Sequence, residues 1–183
     1  DTTVEETNAL IECPPAYQPD PMSAEGQASA MANMKNKSDT TILTAEKISD
    51  VVKGKSTAND LFKKESYADA AMKYTELLDE LSGRDDSLSE EDRAQLIDLR
   101  GSLLINRALC HFNLDQFTLS RDDSREAAEL GHRLKAYVVW IKSCLKMNAF
   151  AEGQAAIHLA LEKHPEDGSI LNLEKTLDVE RRK

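Results

Sequence analysis

Ala58-Asn59-Asp60-Leu61-Phe62 and Ala108-Leu109-Cys110-His111-Phe112 open two stretches that keep one spacing over the residues that follow. Nine residues after Ala58 stands Tyr67, and nine after Ala108 stands Phe117. A third stretch repeats the offset from Ile141 to Phe150. Three residues beyond each aromatic comes a small side chain: Ala70, Ser120 and Gly153. Seven beyond those lie Leu77, Ala127 and Ala160, and the third stretch closes at Pro165. Such a repeat of small, aromatic, small positions describes pairs of antiparallel helices, A and B. The small residues let the two helices approach, and the aromatic plugs the corner between them. One hairpin cannot bury its apolar face alone, so hairpins stack, and about three are needed for stability.

The period within each stretch is helical. Tyr67, Ala70, Ala71, Tyr74, Leu77, Leu78 and Leu81 fall on one face at 3.6 residues per turn. The repeats are expected at about 51–84, 101–134 and 134–167. The step from the second to the third is 33 residues and from the first to the second 50, which leaves an acidic insertion at about 82–100. Ser89, three residues before Asp92, is placed to cap a helix that runs on through Leu96 and Leu99. Residues 169–182 form a last amphipathic helix, with Ile170, Leu173 and Leu177 on one side, that caps the stack. Residues 1–40 read differently: Pro14-Pro15, Pro19 and Pro21 interrupt them, and residues 1–50 hold nine acidic side chains against three lysines. An extended or disordered arm is expected there, followed by a helical domain over 44–183. Met22-Ser-Ala resembles a native start, so residues 1–21 can also be read as a fused segment.

The 183 residues carry a net charge of −10, which opposes bulk electrostatic attraction to nucleic acid or to an anionic membrane. No apolar run approaches the ~18–20 residues of a membrane span. Cys13, Cys110 and Cys144 form no Cys-x-x-Cys pair and read as reduced thiols, which places the chain in the cytoplasm. Asn36-Lys37-Ser38 matches a glycosylation acceptor, but the acidic Asp1–Thr7 is no secretory signal, so the match reads as chance. Gly54-Lys55-Ser56-Thr57 looks like the end of a phosphate-binding loop, yet Ser49 stands where that loop needs its first Gly, inside a helical pattern. His111, His132, His158 and His164 have no zinc-ligand spacing. Cys110 and Cys144 sit among apolar neighbours, where packing is the default. No catalytic residue, metal or cofactor is expected, and the chain reads as a binding module rather than an enzyme.

Three units in register resemble the tetratricopeptide-repeat (TPR) family, whose repeat is about 34 residues. The likeness covers about 130 of the 183 residues. It implies an all-α, right-handed TPR superhelix of three helix-turn-helix repeats plus a C-terminal capping helix, with the A helices lining a concave groove for peptides. The groove positions are then Val52, Lys55, Ser56, Asn59, Phe62 and Lys63 in the first unit. In the second they are Ser102, Ile105, Asn106, Leu109, Phe112 and Asn113. In the third they are Lys135, Val138, Val139, Lys142, Leu145 and Lys146. These eighteen positions hold five Lys, three Asn and no acid, the footprint of an anionic ligand on an acidic chain.

The pattern is similar to the dicarboxylate clamp of Hsp70 and Hsp90 co-chaperones. That subclass shows Lys-x-x-x-Asn in the first A helix, Asn in the second, and Lys-x-x-x-Arg in the third. Here Lys55-Ser-Thr-Ala-Asn59, Asn106 and Lys135 match, whereas Val139 replaces the Arg, with Lys142 one turn on as a substitute cation. The resemblance implies that these residues hold a C-terminal carboxylate and a terminal Asp side chain. Phe62, Lys63, Leu109, Asn113 and Lys146 extend the peptide-binding surface. The implied partner is an Hsp70 or Hsp90 tail, together with other protein subunits; a translocation complex at the cytosolic face of an organelle membrane is one setting. A general scaffold that binds an internal peptide or helix, and the regulatory TPR part of a larger enzyme, are the alternatives.

Overall fold

Thr44 starts the first helix: its hydroxyl accepts the backbone N–H of Lys47 at 3.3 Å, which satisfies one of the donors that a helix N-terminus leaves open. In the computed structural model residues 43–83, 86, 88–131 and 133–183 are described, and all of them fall in one unit, Ser38–Lys183. The N-terminal arm, Cys13, the Asn36 acceptor, Met22 and His132 lie outside the described residues.

Among the described residues there are seven helices and no strand. They are α1 (Ala45–Lys63), α2 (Tyr67–Glu80), α3 (Glu90–Asn113), α4 (Phe117–Gly131), α5 (Leu134–Lys146), α6 (Phe150–Lys163) and α7 (Gly168–Arg181). Gly54–Thr57 lies inside α1, so these residues form no phosphate-binding loop. α3 begins well before its repeat. Ser89 accepts the backbone N–H of Asp92 at 3.1 Å, and Glu90, Glu91 and Asp92 occupy the positive end of the helix dipole. Leu88, Leu96 and Leu99 on this extension pack into the core around α1 and α2.

Each A helix ends in the same way. Glu65, Asp115 and Asn148 take left-handed backbone angles, with φ of 61°, 57° and 56°. The next residue then reaches back: the N–H groups of Ser66, Gln116 and Ala149 donate to the carbonyls of Leu61, His111 and Cys144 at 3.1, 2.9 and 2.9 Å. This is the Schellman closure of a helix C-terminus, made three times without glycine. The corner aromatics follow at once. Phe62 meets Tyr67 edge-on at 5.3 Å between centroids, and Phe112 meets Phe117 at 5.4 Å. The repeated small positions do what close approach requires, since Ala58, Ala70, Ala108, Ser120, Ala127, Gly153 and Ala160 are all buried.

α1, α3, α5 and α7 each touch the next in that series, whereas α2, α4 and α6 touch only their sequence neighbours. Helices that crowd on one side and spread on the other form a curved wall, with α1, α3 and α5 on its inner face. α7 closes the far end by burying Ile170 and Leu177 against α5 and α6. Opposite the inner face, Arg107 on α3 donates to Asp123 on α4 through Nε at 2.8 Å and Nη2 at 2.7 Å. Its Nη1 donates to Thr75 Oγ1 on α2 at 3.1 Å, so one guanidinium ties three helices.

Candidate peptide-binding groove

The inner wall carries a polar ladder that runs along α3. Asp98, Ser102 and Asn106 are spaced four residues apart, so they share one face of the helix. Each engages a neighbouring segment. Arg133, at the start of α5, donates through Nη2 to the Asp98 carboxylate and to the Asp98 carbonyl at 3.1 Å. Lys55 on α1 donates through Nζ to Ser102 Oγ. Asn106 Nδ2 donates to Asn59 Oδ1 on α1 at 3.1 Å.

Tyr74 on α2 fixes the last rung. Its hydroxyl donates to the same Asn59 Oδ1 at 2.7 Å. With two donors on that oxygen, the Asn59 amide is oriented, and its Nδ2 hydrogens lie on the opposite edge. Burial pushes the Tyr74 hydroxyl up to about 12, so it remains a donor at any physiological pH. Lys55 shows the opposite effect. Burial lowers its ammonium from the usual lysine range, and the positive charges of Arg133 and Lys135 lower it further. The charges of Arg133 and Lys135 are thus both close enough to act on Lys55.

The structure thus draws Lys55, Asn59 and Asn106 together along α3, and the charge of the exposed Lys135 acts on Lys55. The other expected residues sit elsewhere on the wall. Phe62 is half-buried in its edge-on contact with Tyr67. Lys63 is exposed and paired with Asp60 on its own helix at 3.2 Å. Leu109 is half-buried, and Asn113 Nδ2 returns to the Leu109 carbonyl at 2.7 Å. Lys142 and Lys146 are exposed on α5. Val139 is only 4 % exposed, and it packs within α5's buried face, short of the surface that Lys135 and Lys142 reach. Ile105 is likewise buried.

Two participants escaped the sequence reading. Tyr74 was legible only as a core position of α2, because its hydroxyl partner lies on another helix. Arg133 precedes the first position of the third unit and so fell outside the groove register. Its partner Asp98 lies in the insertion, which has no counterpart in the other units. Among the described residues, no group of three His, Cys, Asp or Glu side chains is arranged to hold a metal.

No family profile matches this sequence, and no curated protein matches it. Solved structures do. The C-terminal TPR-containing domain of an FK506-binding protein of Plasmodium falciparum superposes with a TM-score of 0.67 at 18 % identity, over 76 % of this chain and 94 % of that one. The first TPR domain of Spaghetti (RPAP3), solved with the HSP90 peptide SRMEEVD, gives 0.57 at 21 % identity, over 73 % and 94 %. The Hsp90 co-chaperone Cns1 of Saccharomyces cerevisiae gives 0.63 at 23 % identity, over 76 % of this chain and 41 % of that one. The fold is accordingly the TPR fold: an all-α superhelix of three helical hairpins closed by a seventh helix.

Proposed function

We propose that this chain is a chaperone-docking module whose inner wall binds the acidic C-terminal tail of an Hsp70 or Hsp90 protein. The observation that carries this reading is the pair of bonds Lys55–Ser102 and Asn106–Asn59 on adjacent turns of α3, beside the charge of Lys135. Lys55 and Lys135 supply charge-assisted bonds to carboxylate oxygens, and Asn59, its amide oriented by Tyr74, supplies neutral ones. Support also comes from similar folds. One was solved with the HSP90 peptide SRMEEVD, and another, the second TPR domain of human RPAP3, with the HSP70 peptide SGPTIEEVD. Both peptides end in Glu-Glu-Val-Asp, which offers several carboxylates within a few residues. A cytosolic setting and a place within a larger protein complex belong to the same proposal.

Calorimetric titration of such peptides with free and amidated C-termini tests it. Amidation removes an acceptor that takes hydrogen bonds from charged donors, each contributing about 1.5–3 kcal/mol. Affinity for the amide should therefore fall on the order of 10- to 100-fold. Equal affinity for the two forms would favour a scaffold that binds an internal segment, with Phe62, Leu109, Phe112 and Leu145 as the apolar floor.

A further inference from the structure

The third A helix lacks a guanidinium where the clamp pattern has one, and Lys142 is the substitute that helix spacing suggests. The ladder on α3 points elsewhere. Ser102 holds Lys55, and one turn earlier Asp98 holds Arg133, so the two head groups are engaged by adjacent turns of one helix face. Four residues of helix rise about 6 Å. That step is within the span of two carboxylates on neighbouring peptide residues.

We infer that Arg133 binds a carboxylate of the docked peptide, beside the one held by Lys55 and Lys135, and that Asp98 is its positioning residue. The inference rests on the carboxylate-docking function proposed above. Both contacts to Asp98 use Nη2, so the Nε and Nη1 hydrogens, on different sides of the guanidinium, are left to other acceptors. Each can donate one charge-assisted N–H to a carboxylate oxygen. The Arg133 side chain is 33 % exposed, which gives a ligand access, while Asp98 is 73 % exposed and lies at the outer edge. After burial, the guanidinium charge also lowers the Lys55 ammonium. Lys142 is exposed, but nothing ties it to the ladder. Arg133 makes no side-chain cap to α5, so its replacement leaves that helix start intact.

The test is a titration series on the full chain with a peptide ending in Glu-Glu-Val-Asp, in its free-acid, amidated and terminal Asp→Ala forms. Arg133→Ala should weaken the free-acid peptide roughly tenfold. Arg133→Lys, which keeps the charge but not the fork, should recover part of that loss, and Lys142→Ala should stay within about twofold. A direct contact also requires coupling: in Arg133→Ala, the loss caused by amidation or by terminal Asp→Ala should shrink for whichever carboxylate Arg133 grips. Circular dichroism and melting of each variant establish that the fold is retained. If the wild type prefers the free acid yet Arg133→Ala binds like the wild type, this inference is overturned and the docking function stands. Undiminished sensitivity to both carboxylate changes in Arg133→Ala overturns it likewise. A wild type that ignores both changes removes the docking function and this inference together.

Discussion

Single residues decide what the groove can hold. Asn59 is useful because Tyr74 and Asn106 both bond its oxygen, which fixes the amide before any ligand arrives. Lys55 is useful because it is partly buried beside other cations, a placement that an anion relieves. Replacing Lys55 or Lys135 by Ala should weaken binding of an acidic tail on the order of 10- to 100-fold in a fluorescence-anisotropy titration. The lowered Lys55 ammonium also gives a signed pH dependence. Between its folded value and the ordinary 10.5, the unfolded chain binds more protons than the folded one, so this group's contribution to stability rises with pH there. Peptide affinity should move the other way, weakening before pH 10.5 is reached as the ammonium is lost, and Lys55→Ala should flatten that part of the profile. The cysteines report on packing alone. Burial pushes Cys110 up to about 11 and Cys144 up to about 12. Both should resist iodoacetamide in the native protein at neutral pH and react on unfolding, as peptide mapping would show.

At the scale of the element, helix composition sorts into positions that need a small side chain and positions that merely have one. Gly54 on α1 lies where a methyl group would come within 2.6 Å of Leu77 Cδ2, and Leu77 is itself buried in α2. Gly54→Ala should therefore cost about 1–3 kcal/mol through overpacking. Gly101, in the middle of α3, has no atom within 4 Å of such a methyl. Gly101→Ala should stabilise the fold by about 0.5–1 kcal/mol, because alanine loses less backbone freedom in a helix. Urea melts of the two variants would show shifts of opposite sign. The helices themselves were legible for the same reason: the small and aromatic positions recur at fixed offsets, and Ala58, Ala70, Ala108, Ser120, Ala127, Gly153 and Ala160 on that lattice are all buried. The turns carry the same spacing in a separate feature, since the left-handed residues Glu65, Asp115 and Asn148 are 50 and 33 apart. What the spacing could not convey is which polar side chains meet across helices. Lys55 and Asn59 share a helix face and could be paired by periodicity, whereas Arg133 and Asp98 meet from a loop and an insertion that no repeat describes.

For the whole molecule, the C-terminal end of the stack and its interior differ in character. At the far end α7 buries Ile170 and Leu177 completely, and each such side chain contributes about 1.5–3 kcal/mol. Truncation after Asp167 should uncover Ala156, Ile157, Ala160 and Cys144 and lower the melting temperature by several degrees or cause aggregation, measured by calorimetry and light scattering. The interior of the stack behaves otherwise, because α3 serves both halves. Leu99, Leu103 and Cys110 face the core of α1 and α2, while Leu104 and Ile105 face the core of α4 and α5. A repeat protein built of independent bricks could lose its first hairpin and keep the rest. Here the central helix is a common spine, buried from Leu103 to Ile105 and again at Ala108 and Cys110. Loosening either half strips one flank of α3 and withdraws support from the other, so the inner wall should melt in a single step. The ladder that α3 carries is thereby either wholly assembled or wholly absent, so under the proposed function an acidic tail would meet a finished surface rather than one it must build.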